Sequence, residues 1–121
     1  MFPLNESDKL IFVNIKKSYG AILRNDKNDR YHRDSLYDCT VKYWRVAEHK
    51  ALSATHILGC YKGEVIEVVK IKGTPQVIYN YDNKRRWVFD GTEQLDSEYM
   101  HKDIRELFDN LANFNVKYWN L

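Results

Sequence analysis

Apolar residues along this chain recur with two different periods, and the change of period marks out its elements. "KLIFVNIKK" (residues 9–17) is a short apolar run flanked by lysines, rich in β-branched and aromatic residues, and reads as a buried first strand. Residues 24–35, "RNDKNDRYHRDS", interleave Asp, Asn and Arg with almost no apolar residue, the pattern of an exposed, solvated loop. Ala and Leu at helical spacing in "WRVAEHKALSA" predict a short helix over residues 46–53. "THILGCYKGEVIEVVKIKG" reads as a hairpin whose two β-rich runs meet at Lys62-Gly63, where glycine can take the positive φ of a tight turn. In its second run Val65, Val69 and Ile71 alternate to one face and Ile66 with Val68 to the other, so the strand is expected to be covered on both sides.

Gly73, Thr74 and Pro75 end that run, and "QVIYNY" and "RRWVFDG" predict two further strands, joined by "DNK" and closed by Gly91. The period then lengthens. In "SEYMHKDIRELFDNLANF", Met100, Ile104, Leu107, Phe108 and Leu111 form the stripe of an amphipathic helix, with Asp96 and Ser97 as start signals and Asn110 or Asn113 as its end. "VKYWNL" alternates as a last strand, sending Tyr118 and Trp119 to opposite faces, one buried and one exposed. The expected fold is therefore α+β: a mostly antiparallel sheet, curled or closed into a small barrel, with two or three flanking helices.

Length and composition narrow this picture. The 121 residues are expected to form one domain, and 44% hydrophobic with 14% aromatic content supplies a core and argues against disorder. A net charge of +2, from 19 basic and 17 acidic residues, lacks the field of a protein that coats duplexes non-specifically, so any nucleic-acid site must be a local patch. Cys39 and Cys60 read as small buried hydrophobes, and His32, His49, His56 and His101 are scattered without metal-ligand spacing. No metal and no cofactor is expected. "MFPLNESDKL" lacks the pattern of a secretory leader and no run is long enough to span a bilayer, so the expectation is a cytoplasmic protein without a membrane partner.

The candidate chemistry lies in "YDCTVKYWRV" and "NKRRW". The first places Tyr37, Tyr43 and Trp44 around Lys42 and Arg45; the second sets Lys84, Arg85 and Arg86 before Trp87. Aromatic walls beside cations can stack a planar base and hold its phosphates, so Tyr37, Lys42, Tyr43, Trp44, Arg45 and Trp87 are candidate ligand contacts. Lys84, Arg85 and Arg86 are candidate phosphate contacts. The plainer alternative also stands: strand alternation points Trp87 and Phe89 into the core, and residues 84–86 form a solvated turn and edge strand. For catalysis, Lys42, Tyr43, Glu48 and Glu67 supply nucleophile, acid and base types, but no catalytic motif joins them and no catalytic residue is assigned.

Three segments, in order, resemble a small bacterial and phage PUA-like domain, related to EVE, ASCH and YTH domains and often found beside nucleases or restriction components. "YDCTVKYWRV" is similar to a stretch that reaches a Trp followed by a basic residue. "ATHILGCYKGEVIEVVKI" with "RRWVFDG" is similar to the family's hairpin and later R-W-F-G strand. "YMHKDI" with "LANFNVKYWN" is similar to its Y-GK-V helix start and terminal strand, with His101 where that pattern has glycine and Lys42 where the first has arginine. The resemblance spans residues 36–121. It implies a nucleic-acid reader that takes a modified or flipped base of DNA or RNA into an aromatic pocket. It leaves two other roles open: a phage or mobile-element protein acting on a host or restriction-system protein, and a small amidohydrolase acting on modified nucleosides.

Overall fold

The buried run after Lys9 forms a central strand because both of its faces are covered. The computed structural model describes residues 2–79, 82–111 and 114–121. Its elements, in chain order, are β1 (Leu10–Asn14), α1 (Lys16–Leu23), α2 (Leu36–Val41), α3 (Glu48–Ser53), β2 (His56–Tyr61) and β3 (Glu64–Ile71). They are followed by β4 (Gln76–Tyr79), β5 (Arg85–Val88), β6 (Gly91–Glu93), a 3-10 turn (Ile104–Glu106) and β7 (Val116–Trp119). Five strands make one sheet in the order β6-β3-β2-β1-β7, and β4 with β5 make a second. β1 and β2 run parallel, whereas β1–β7, β2–β3, β3–β6 and β4–β5 are antiparallel.

The fold is thus α+β and mostly antiparallel, with three α-helices among the described residues. The expected barrel is corrected: β6 and β7 are the two edges of an open sheet. Apolar side chains of alternating strand residues fill both faces. On one face Ile11, Val13, Ile57 and Val69 meet Cys39 and Val41 of α2, Ala51 of α3, and Trp87 with Phe89 from the β5 region. On the other Leu10, Phe12, Leu58, Val65 and Val68 meet Phe2, Tyr99 and Ile104. Cys39 and Cys60 are both buried, as their apolar surroundings suggest.

The β2–β3 hairpin turns at Lys62 and Gly63, with φ of 52° and 83°, the paired left-handed conformation of a two-residue turn. Its register shifts between Gly59 and Cys60: Gly59 faces Glu67 and Cys60 faces Val65. The bulge reassigns faces on β3, so Val65 joins Val68 on one side and Ile66 joins Val69 and Ile71 on the other. Gly59 has a steric reason as well, since a Cβ there would collide with Thr40 Oγ1 of α2.

The expected helix over residues 97–114 is the second correction. Only Ile104–Glu106 makes a helical turn. Val65 N–H donates to Lys102 O at 3.0 Å, His101 N–H to Val65 O at 2.7 Å and Ile104 N–H to Gly63 O at 2.9 Å, so the sheet takes the backbone groups that a helix would use. His101, at φ 64°, turns the chain there. The apolar stripe is still buried, with Met100, Leu107, Phe108 and Leu111 packed on the second core cluster. The ends of two expected elements, Asn80 and Tyr81 of "QVIYNY" and Ala112 and Asn113 of the helix, lie outside the described residues.

Candidate functional site

"YDCTVKYWRV" does not fold as one element. Ser35 Oγ accepts Asp38 N–H at 3.0 Å and caps α2, which carries Tyr37 and ends at Val41. The chain then extends, and Trp44 pairs with Trp87 of β5 through reciprocal N–H···O bonds of 3.1 and 2.8 Å. Residues around Trp44 therefore lie against β5 and bring the two aromatic-basic stretches together. Trp44 is half-buried, and its Nε1 donates to Thr40 O at 2.7 Å, which fixes the ring.

Four clefts run from this junction along a path of shared lining residues, and a fifth, of about 510 Å³ with Tyr37, Asp38, Lys72 and Asp90 in its lining, shares Lys42 with them. A hairpin cleft of about 600 Å³ is lined by Arg45, Glu48, Lys84, Arg85 and the edge of Trp87. It shares Arg45 with a cleft of about 520 Å³ formed by Lys17, Tyr31, Tyr43, Trp44, Arg86 and Tyr118. That cleft in turn shares Lys17, Tyr43 and Trp44 with one of about 400 Å³ that adds Lys16, Arg33 and Lys42. Asn14, Lys16 and Phe114 continue into a fourth, of about 350 Å³, bounded by Lys62, Gly63 and Arg105.

The charge along this path is one-sided. Ten of the chain's 19 Lys and Arg line the four clefts, against one of its 17 acids, Glu48, whereas the fifth adds Lys72 with two acids, Asp38 and Asp90. Four of the ten are ion-paired: Arg85 with Glu48 at 3.2 Å, Lys42 with Asp38 at 3.6 Å, Arg86 with Asp82 at 2.7 Å and Arg105 with Asp103 at 2.8 Å. Lys16, Lys17, Arg33, Arg45, Lys62 and Lys84 make no salt bridge among the described residues, although the Asp82 carboxylate accepts the Lys84 backbone N–H at 3.1 Å. Arg33 lies 4.9 Å over the Tyr43 ring, its Nε buried without a hydrogen-bond partner, and Lys17 lies 4.9 Å over Tyr31.

The candidate residues separate into groups. Tyr43, Trp44, Arg45 and Arg86 meet in one cleft, with Lys42 in the adjoining one. Lys84 and Arg85 line the hairpin cleft, where the Arg85 guanidinium lies 5.4 Å from the Trp87 ring. Trp87 is 4% exposed and belongs to the core, so it offers that cleft only an edge. Tyr37 is apart from Tyr43 and Trp44 but lines the neighbouring cleft with Lys42, and its hydroxyl donates to Asp90 Oδ1 at 2.7 Å and accepts Gly91 N–H at 2.9 Å, tying α2 to β6. Burial, then the Asp90 hydrogen bond, push the Tyr37 pKa up, while Tyr37 and Gly91 hold Asp90 below the usual carboxylate range.

Lys16, Lys17, Tyr31, Arg33, Lys62 and Arg105 complete the path, and none was singled out by its sequence neighbourhood. The "KK" pair after β1 and the Arg and Tyr of the polar loop were the available signals. Of the four candidate catalytic groups, Lys42 and Tyr43 share a cleft, Glu48 is bonded to Arg85, and Glu67 lies 1% exposed beneath α2. Burial, then the Glu93 carboxyl, raise the Glu67 pKa to about 8. Tyr118 and Trp119 are both half-buried, each packed on a different core cluster.

Among the described residues, no group of three or more His, Cys, Asp or Glu is placed to hold a metal ion, and no helix is long and apolar enough to cross a membrane. Comparison of the chain with models of known families, with curated proteins and with solved structures returns no match.

Proposed function

We propose that the protein is a nucleic-acid-binding module of PUA-like type that holds a base at Tyr43 and Trp44. The observation that carries this is the lining of the two clefts sharing those rings: Lys16, Lys17, Arg33, Lys42, Arg45 and Arg86, without one acid. A base stacked on an aromatic ring gains about 1 to 3 kcal/mol, and the surrounding cations neutralise its phosphates. The preorganised Arg33–Tyr43 stack supplies a planar cation beside the base site. An unstacked base, flipped, modified or in a single strand, reaches such a wall at least cost. The resemblance of residues 36–121 to PUA-like readers supports the same ligand class.

Fluorescence titration with modified and unmodified oligonucleotides at two salt concentrations tests this. Binding should weaken as salt rises and should fall in Tyr43→Leu and Arg45→Gln. Absence of binding at low salt, or binding indifferent to salt, would overturn it. Trp44→Phe is the better probe of the neighbouring ring than truncation to Ala, because Trp44 also packs on the core.

A further inference from the structure

We propose that the ligand is a single strand of nucleic acid that lies along all four clefts, from the β4–β5 turn to the β2–β3 turn. A duplex presenting one extruded base is the alternative that this rejects. The proposal rests on the nucleic-acid-binding reading and specifies the form of the polymer.

A duplex with one flipped base meets a protein through one aromatic pocket and a broad cationic face, whereas a single strand follows a narrow groove in which rings and cations alternate. Here the cationic lining continues well past Tyr43 and Trp44 in both directions. The clefts are joined by shared residues: Arg45 on one side, Lys16 and Phe114 on the other. Cations that make no salt bridge occur at both ends, Lys84 beside Arg45 and Lys62 beyond Lys16, so such charge is spread along the track. Aromatic rings recur with the charge, from the Trp87 edge through Trp44 and Tyr43 to Phe114. That alternation suits a strand whose bases are free to stack and whose phosphates follow a groove. Volumes of about 350 to 600 Å³ per cleft suit small-molecule-sized groups, such as one nucleotide at a time.

The fold explains why the track ends where it does. β1 and β2 run parallel, so their carboxyl ends place Lys16 at the start of α1 beside Lys62 of the hairpin turn. Asn14 Nδ2 donates to Phe114 O at 3.1 Å and Asn14 Oδ1 accepts Lys16 N–H at 3.1 Å, which fixes the wall between the third and fourth clefts.

The test is fluorescence anisotropy of the full chain with thymidine strands of about 4 and about 12 nucleotides, and with a blunt hairpin duplex, over a salt series. The six cations that make no salt bridge predict a log–log salt slope of about −4 for the longer strand, and a smaller one for the short strand. Lys62→Asn, which keeps the left-handed turn conformation, and Lys84→Gln should each weaken the long strand and reduce its slope by about 0.7, leaving the short strand unchanged. Equal binding of the two lengths, a duplex that competes as well as the strand, or a long-strand slope unmoved by Lys62→Asn would overturn the track while leaving the base site intact. Loss of the underlying reading looks different: no strand, short or long, binds at low salt, or Tyr43→Leu changes nothing.

Discussion

The two faces of the central sheet differ in how many of their aromatic rings meet cations: on the closed face it is Phe108, under Lys117 at 5.4 Å. On the face closed by residues 99–111 the rings interlock with each other: Phe2 stacks on Tyr99 at 5.6 Å, and Phe12 meets Phe2 and Phe108 at 5.9 and 5.3 Å. Polar groups there are satisfied internally, with Tyr99 Oη donating to Asp8 at 2.7 Å and Thr55 Oγ1 bonded to His56 Nδ1 at 2.7 Å. On the face that carries the helices and the β4–β5 hairpin, Tyr19 and Tyr61 also meet edge to face at 5.0 Å, but Tyr31 and Tyr43 lie under Lys17 and Arg33, which make no salt bridge, and the core residue Trp87 lies under Arg85, which is paired with Glu48. Rings that spend their faces on each other build a core. Rings paired with uncompensated cations keep capacity for an anionic, planar ligand.

Substitutions should break this contrast in graded steps. The largest effect is expected on the closed face: Phe12→Ala should cost about 4 kcal/mol in denaturant unfolding, because Phe12 is fully buried and its neighbours interlock around it. An unfolding midpoint close to the parent's would show that this face is loosely packed.

Glu67→Gln comes next and concerns pH. The folded protein keeps a proton on Glu67 that the unfolded chain releases above about 4.5, so stability should fall as pH rises from there and level off above about 8. Gln mimics the protonated form, and at pH 9 the variant should be the more stable of the two proteins. Equal stability of the two proteins at pH 9 would remove Glu67 from the account. His56, on the closed face, has the opposite sign: burial lowers its pKa, against the pull of Asp8, so its protonation should weaken the fold as pH drops below 6.5. His56→Gln should flatten that acid limb of the stability profile.

Tyr43→Leu should weaken oligonucleotide binding about tenfold, or about 1.4 kcal/mol, with a smaller change in unfolding midpoint, the reverse of the Phe12→Ala outcome. Equal losses of binding and stability would mean that the open face is also mainly core. The smallest effect is expected at His101, whose left-handed φ of 64° costs strain that its exposed 2.8 Å contact with Glu64 repays only in part. His101→Gly should raise stability by about 0.5 kcal/mol in the same unfolding assay.

Elements whose physics is local were legible in the chain. β1, the hairpin at Lys62-Gly63, β5 and β7 follow from apolar runs and a turn pair that needs positive φ. α1 and α2 escaped because "KKSYGAIL" contains Gly20 and "LYDCTV" ends in β-branched residues, both weak helix signals that tertiary packing overrides. The stripe from Met100 to Leu111 carried the right burial and the wrong conformation, since β3 claims its backbone hydrogen bonds. Of the candidate site, the aromatic-basic stretches at Tyr43–Arg45 and Lys84–Arg86 were visible by composition alone.

By itself the sequence determined which residues must leave water, where the main hairpin turns, and which short stretches concentrate rings and cations. Those properties depend on side-chain chemistry and on neighbours a few residues away. Only the tertiary structure decided that Tyr37 ties α2 to β6 while Tyr43 and Trp44 face a cleft, and that Lys16, Arg33 and Lys62 join them. It also decided, through one bulge at Gly59, which side of β3 each valine occupies. Such outcomes turn on strand pairings between residues far apart in the chain, where a shift of one residue exchanges a buried face for the other.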